Sequence, residues 1–128
     1  MAVSFDSLPE VFEAACSASE SVRDAVFFSA ASAVGTCDPL DEDKMPAVGV
    51  IETKPTATTC VVRRAGSLGG FTGLVPGKKL FVAEDGALEH APIARPVTDL
   101  RYVQSVAVAQ TPTSILVLVD TSMVKIRP

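Results

Sequence analysis

Short apolar runs alternate with clusters of turn-forming residues along this chain, and the pattern predicts a β protein. The apolar runs are rich in valine, with isoleucine and threonine beside it, and these branched side chains pack well on a pleated sheet. Turn signals recur about every 8–12 residues, a spacing typical of a β-sandwich or a small barrel. We therefore predict a mainly β fold, a small β-barrel or β-sandwich with little helix. The predicted strands cover residues 24–29, 46–52, 58–65, 79–82, 102–109 and 114–120.

The strand pattern occurs twice, at an offset of about 55 residues, and a fixed offset of this kind indicates a repeated unit. Each unit consists of a strand, a turn, a Val-small-Val strand, a turn containing Pro and Thr, and a Val-rich strand. The first unit covers about residues 22–65 and the second about residues 78–120. Residues 66–77 hold five of the eight glycines and are predicted to form a crossover, because glycine permits positive φ. Few identities align, so chance similarity between hairpins is the alternative.

The N-terminal segment has two interpretations. Ser7 and Glu10 have the spacing of a capping box, and the apolar residues of segment 8–16 fit one face of a helix. The same residues also alternate as in a strand, which is the reading we favour in a β-rich chain. Residues 1–10 are predicted to be an extended arm, and residues 11–128 a single β domain.

Composition and charge exclude several classes of partner. The net charge is −4 and the sequence pI is about 4.9, which argues against nucleic acid because phosphate binding needs a basic stripe. No apolar run approaches the roughly 20 residues that span a bilayer, and no basic segment precedes an apolar one at the N-terminus. Residues 1–60 carry a net charge of −7 and residues 61–128 a net charge of +3. This asymmetry suggests either complementary faces of neighbouring copies or two solvated faces of one domain.

No segment carries the residue pattern of a reaction centre. Residues 73–79 (GLVPGKK) superficially resemble a phosphate-binding loop, which needs a glycine five positions before Gly-Lys, then a hydroxyl residue and a helix. Thr72 occupies the glycine position, Lys79 occupies the hydroxyl position, and a predicted strand follows. A Pro-Gly turn explains the segment instead. His90 is the only histidine, and no GxSxG elbow accompanies it.

Metal sites are not indicated either. Cys16, Cys37 and Cys60 lack the CxxC spacing of a zinc site and do not suggest a disulfide framework. The acidic turns at residues 41–43 and 84–86 lack the alternating ligands of a calcium loop. We therefore expect no metal, no cofactor and no enzymatic activity.

Several segments resemble a module of tailed-bacteriophage virion proteins. In that module a PAIGVV-type strand precedes a G-[LF]-x-G-L-x-P-G turn, and a YVQxVGVAxSxTxLLV segment follows an aromatic strand. Residues 46–50 (PAVGV) and 54–63 resemble the first part, and residues 70–77 (GFTGLVPG) resemble the turn. Residues 102–109 (YVQSVAVA) and 115–117 (ILV) resemble the last part.

The likeness covers about residues 22–120, nearly the whole chain. It departs from the module at Ala107, where glycine is usual, and in the aromatic strand, which is reduced to Phe81. Neither departure changes the expected fold, and the resemblance provides no catalytic residue to transfer.

The resemblance implies a non-enzymatic virion protein, and the leading hypothesis is a capsid decoration (cement) protein that stabilises the head shell. The expected partners are the major capsid protein and further copies of this chain, in a homotrimer. We expect the protein on the outer surface of the capsid after assembly in the host cytoplasm, without nucleic acid or membrane partners. A head or tail fibre, collar or tail-attachment protein is the alternative, and a host-recognition module is another.

Candidate interface residues are apolar or charged positions of the predicted arm, loops, strand ends and crossover. They are Phe5, Leu8, Asp41, Glu42, Asp43, Arg63, Arg64, Phe71, Lys78, Lys79 and Arg95.

Overall fold

The computed structural model describes residues 10–91, 101–119 and 124–126, and it confirms a mainly β fold. Two short 3-10 turns, Glu42–Lys44 and Glu84–Gly86, accompany the strands in this part of the chain. The strands are β1 (Val11–Ala15), β2 (Ala25–Ala30), β3 (Ala33–Thr36), β4 (Gly49–Thr56), β5 (Thr59–Arg63), β6 (Ala65–Gly69), β7 (Lys79–Val82), β8 (Leu88–Glu89), β9 (Arg101–Val103), β10 (Ser105–Thr111), β11 (Ser114–Leu118) and β12 (Val124–Ile126).

The first five strands close into a small barrel in the order β1-β3-β2-β4-β5. β1 pairs with β5 in antiparallel fashion over its whole length, so Val11–Ala15 is a strand, as favoured for segment 8–16. β1 meets β3 in parallel at one register pair, Ala15 with Ala33, and this pair closes the barrel. We call residues 11–63 the barrel unit.

A period of two decides which side chains fill the barrel, because successive strand residues point to opposite faces. Phe12 packs against this core, and its ring centroid lies 5.7 Å from that of Phe28, which is 42% exposed. The buried interior consists of Ala14, Val26, Val34, Ile51, Cys60 and Val62.

The second sheet has five strands in the order β6-β11-β10-β7-β8. Within the described residues its edge strands β6 and β8 do not pair with each other, so we call residues 65–118 the open unit. Its first strand, β6, lies where the sequence predicted the start of the crossover. Leu68 is buried in the core and all of β6 pairs with β11, so the glycine-rich connection begins only at Gly70. β9 and β12 form a separate antiparallel pair.

The two units have the same strand order. β3-β2-β4-β5-β1 of the barrel unit corresponds to β8-β7-β10-β11-β6 of the open unit, with the same antiparallel neighbours. The hairpin turns are also alike. Thr56 Oγ1 lies 2.7 Å from Thr59 Oγ1, and 55 residues later Thr111 Oγ1 lies 2.7 Å from Ser114 Oγ. This common order and turn support the predicted repeat, although β1 and β6 extend each unit beyond the predicted limits.

The two units pack against each other, with an outer face of the barrel unit against the inner face of the open unit's sheet. The open unit's interior residues, among them Leu68, Leu80 and Ile115, form one buried cluster with Ala25 and Val50 of the barrel unit. Ala25 and Val50 alternate with the barrel's inward residues, so they lie on its outer surface. A shared core of this kind makes the two units one domain, because neither would keep its apolar surface buried alone.

Candidate interaction surface

Arg23 connects the two units through backbone carbonyls. Arg23, which has a positive φ of 75°, donates from Nε to the Gly69 carbonyl at 2.7 Å and from Nη1 to the Glu52 carbonyl at 2.6 Å. Its guanidinium carbon lies 5.9 Å from the centroid of the Phe71 ring. Arg63 donates from Nε to Glu52 Oε1 at 2.6 Å. Arg63 and Phe71, both candidate interface residues, thus make contacts inside the chain.

A buried amide forms the second connection. Gln104 is 1% exposed, its Oε1 accepts the Ala47 amide at 2.7 Å, and its Nε2 donates to the Ala47 carbonyl at 2.9 Å. One side chain therefore imitates both hydrogen bonds of a β-bridge. Sequence reasoning missed this residue, and the signal that would have found it is an amide within the mostly apolar predicted segment 102–109.

His90 links the glycine-rich connection to β7 through two hydrogen bonds. Its Nε2 accepts the Val75 amide at 2.9 Å, and its Nδ1 lies 3.1 Å from the Lys79 carbonyl, to which it donates in the neutral tautomer that the first bond requires. Both nitrogens are occupied by backbone groups, so in this arrangement the ring is not oriented as a general base toward a nucleophile.

Two clefts, of about 300 and 290 Å³, flank the seam between β1 and β3. Glu20 lines one of them. Burial raises the pKa of Glu20, but hydrogen bonds from Ser17 and Ser19 outweigh burial, so this pKa lies below its ordinary value. Cys60 lines the other cleft, and burial raises the pKa of its thiol to about 12. The first group is a hydrogen-bonded carboxylate and the second a protonated thiol, neither of which is an activated nucleophile.

No group of three or more metal-ligating side chains lies together in the described ranges. Over the same ranges no helix has the length and apolarity to cross a bilayer.

The candidate interface residues do not all lie together. Phe5, Leu8 and Arg95 lie outside the described residues. Arg64 is partly buried, and its amide donates to the Glu10 carbonyl at 2.9 Å.

The charged candidates lie on opposite units. Asp41 precedes the 3-10 turn of the barrel unit, and its carboxylate accepts the Asp43 amide at 2.9 Å, with Glu42 exposed between them. Lys78 and Lys79 are exposed where the open unit's β7 begins. An acidic turn and a basic strand end are therefore separate surfaces of one molecule.

The open unit also presents an apolar surface. Val108 pairs with Leu116 across β10 and β11, and both side chains alternate with buried neighbours, so they point outward. Leu118, two residues further on, is 54% exposed, more than the other large apolar side chains in the described part of the chain. We call these three side chains, with Ser67 and Ala65 beside them on β6, the β10–β11 face.

No protein-family model matches this chain, and no curated protein or solved structure was found to be similar to it.

Proposed function

We propose that this protein is a non-enzymatic structural component of a tailed-phage virion, specifically a decoration (cement) protein of the head shell. The resemblance of residues 46–50, 70–77 and 102–109 to virion modules supports the class, and a duplicated β scaffold is compatible with it. The observation that carries the proposal is how the polar side chains are used. Among the described residues, Arg23, Gln104 and His90 form hydrogen bonds with backbone groups and so stabilise the fold. The outward surfaces of the two units are then available for contact with other proteins.

The proposed partner is the major capsid protein, on the outer surface of the head. A shell lattice has three-fold sites where neighbouring capsomers meet, and a homotrimer matches the symmetry of such a site. A rigid β domain that contacts several capsomers at once stabilises the shell, because binding to the assembled state adds to its free energy of disassembly.

The test mixes purified protein with expanded empty heads that lack their decoration protein. We expect cosedimentation that saturates in proportion to the capsid protein, together with a higher temperature of head disruption in calorimetry. Protein unfolded by heat before mixing is the control and should leave that temperature unchanged. Binding to purified tails or fibres without binding to heads would overturn the placement, and densitometry of virions would then show few copies per particle.

A further inference from the structure

We infer that the β10–β11 face binds a second copy of this chain, with the acidic turn of the neighbour, Asp41 to Asp43, beside Lys78 and Lys79. This inference deepens the proposed function, because it names the surface through which the copies associate. The contact joins two different surfaces of the same chain, so it is heterologous, the type of contact that closes into rings.

The outward residues of the open unit form one connected surface. Lys79 pairs with Val108, Val108 pairs with Leu116, and Leu116 pairs with Ser67, so one row of outward positions crosses four strands. Leu118 extends the apolar part of this row by one step along β11. Val108 and Leu116 are half-buried and Leu118 is exposed, so the row presents a partly exposed apolar surface with a charged rim, a composition found in protein contacts.

The barrel unit provides an internal comparison, because it repeats the strand order of the open unit. The β4–β5 hairpin of the barrel unit holds Thr53 opposite Val61 where the open unit holds Val108 opposite Leu116. The position that corresponds to Leu118 is Arg63, which binds Glu52. The same fold therefore forms with polar residues at two of these three outward positions, so Val108 and Leu118 need not be apolar for folding.

The charges beside the β10–β11 face indicate that its partner is a second copy of this chain. Lys78 and Lys79 are exposed at the β7 end of the row. Residues 1–60 carry a net charge of −7, and Asp41 and Asp43 lie at an exposed turn within them. Opposite charges at the rim orient two copies and favour this register over others. A second copy thus supplies an acidic surface to Lys78 and Lys79. Within the open unit, Glu89 of β8 is an acidic residue near this end of the row, because it pairs with Phe81, two residues beyond Lys79 on β7.

The test measures self-association of the full chain by mass photometry and sedimentation velocity over a range of protein and salt concentrations. We expect concentration-dependent oligomers that weaken as salt rises. Leu118→Asp should weaken association about tenfold or more, as loss of a central apolar anchor does. Val22→Asp is the matched control, since Val22 is 49% exposed on the barrel unit, and it should leave association unchanged.

Charge reversal tests the register. Lys79→Glu and Asp43→Lys should each weaken association, and the double variant should recover most of the loss. Glu89→Lys, which adds positive charge at the same edge, should not weaken it. Each variant should keep the circular dichroism spectrum of the wild type, because all the substituted side chains are exposed.

A chain that stays monomeric at high concentration would overturn the inference, and so would equal effects of the Leu118 and Val22 substitutions or a double reversal without recovery. The proposed function fails separately. A monomer that still binds heads would contradict the inference and the homotrimer but leave the head-binding proposal standing, whereas association through this face without head binding would contradict only the proposed function.

Discussion

Replacing Gln104 by methionine is expected to destabilise the whole domain, although the side chain touches neither a ligand nor the solvent. Gln104 gives the Ala47 amide and carbonyl their hydrogen-bond partners, and Ala47 is fully buried. Gln104→Met keeps the length of the side chain and removes both partners. The two backbone groups of Ala47 then stay buried without partners, because water does not reach them.

The magnitude follows from the number of groups left unpaired. A buried polar group without a partner costs about 1–3 kcal/mol, so two such groups cost about 2–6 kcal/mol. The more apolar methionine side chain recovers about 1–2 kcal/mol of this cost. We therefore expect the free energy of unfolding to fall by about 3 kcal/mol, which lowers the melting temperature by roughly 10 °C for a domain of this size.

The assay is urea unfolding followed by far-ultraviolet circular dichroism, since the chain has no tryptophan. Gln110→Met is the control, because Gln110 lies exposed on β10, which begins directly after Gln104, and a surface substitution changes stability by about 0.5 kcal/mol or less. Gln104→Glu adds a second signature. A protonated carboxyl both donates and accepts, whereas a buried carboxylate leaves the Ala47 carbonyl without a donor, so this variant should lose stability as pH rises. A Gln104→Met protein within 1 kcal/mol (about the error of such a comparison) of the wild type would refute the reasoning.

Three further predictions concern local packing and titration. Gly49→Ala should destabilise the domain by about 1–3 kcal/mol, because the added carbon would lie 2.4 Å from a β5 side-chain carbon and 2.8 Å from a β5 carbonyl oxygen. Gly69→Ala is the control and should not destabilise the domain, because no atom lies within 4 Å of the added carbon. Equal melting temperatures of the two variants would contradict the close packing of β4 against β5. Burial raises the pKa of the Cys37 thiol, and that of Cys60 to about 12, so both should react with a thiol reagent only when the protein unfolds; rapid labelling of either in the native state would be evidence against this burial. Burial also raises the pKa of the Asp24 carboxyl, so the folded state holds this proton more tightly than the unfolded chain, and stability falls as pH rises from about 4 through the raised pKa. Asp24→Asn should remove that fall, and thermal melts of both proteins from acid to neutral pH should therefore diverge as pH rises; a constant difference would contradict the raised pKa.

The fold class was predictable because it depends on local patterns. Short Val-rich runs such as 46–52 and 102–109, bounded by turn residues, predict strands because branched side chains pack well on a pleated sheet. The hairpins were predictable for a related reason. The hydroxyl residues at Thr56 and Thr111 bind within their own turns, so the turn needs no distant partner.

The connections between the units were not predictable, since they depend on long-range geometry. Arg23 reaches a carbonyl 46 residues away and Gln104 a backbone 57 residues away. An arginine or glutamine forms such bonds wherever the fold places a backbone carbonyl nearby, and neither residue has a sequence pattern that indicates the distance. Of the candidate interface residues, Arg63 and Phe71 were chosen as charged or apolar positions, and the structure shows both in contacts within the chain.

Within the described part of the chain one unit closes and the other does not, and residue size gives a physical reason for this difference. Ala14 pairs with Cys60 inside the barrel unit, and the corresponding pair of the open unit is Leu68 with Ile115. A closed barrel of five strands encloses little space, so small side chains suit its interior and larger ones would force the strands apart. The larger pair needs an apolar surface to pack against, and the outer face of the barrel unit supplies it. Repeated units with interiors of different size thus produce one closed partner and one open partner, which stack in a single orientation. Among the described residues this stacking leaves the apolar outer face of the open unit uncovered, and for that reason we assign the contact between copies to it.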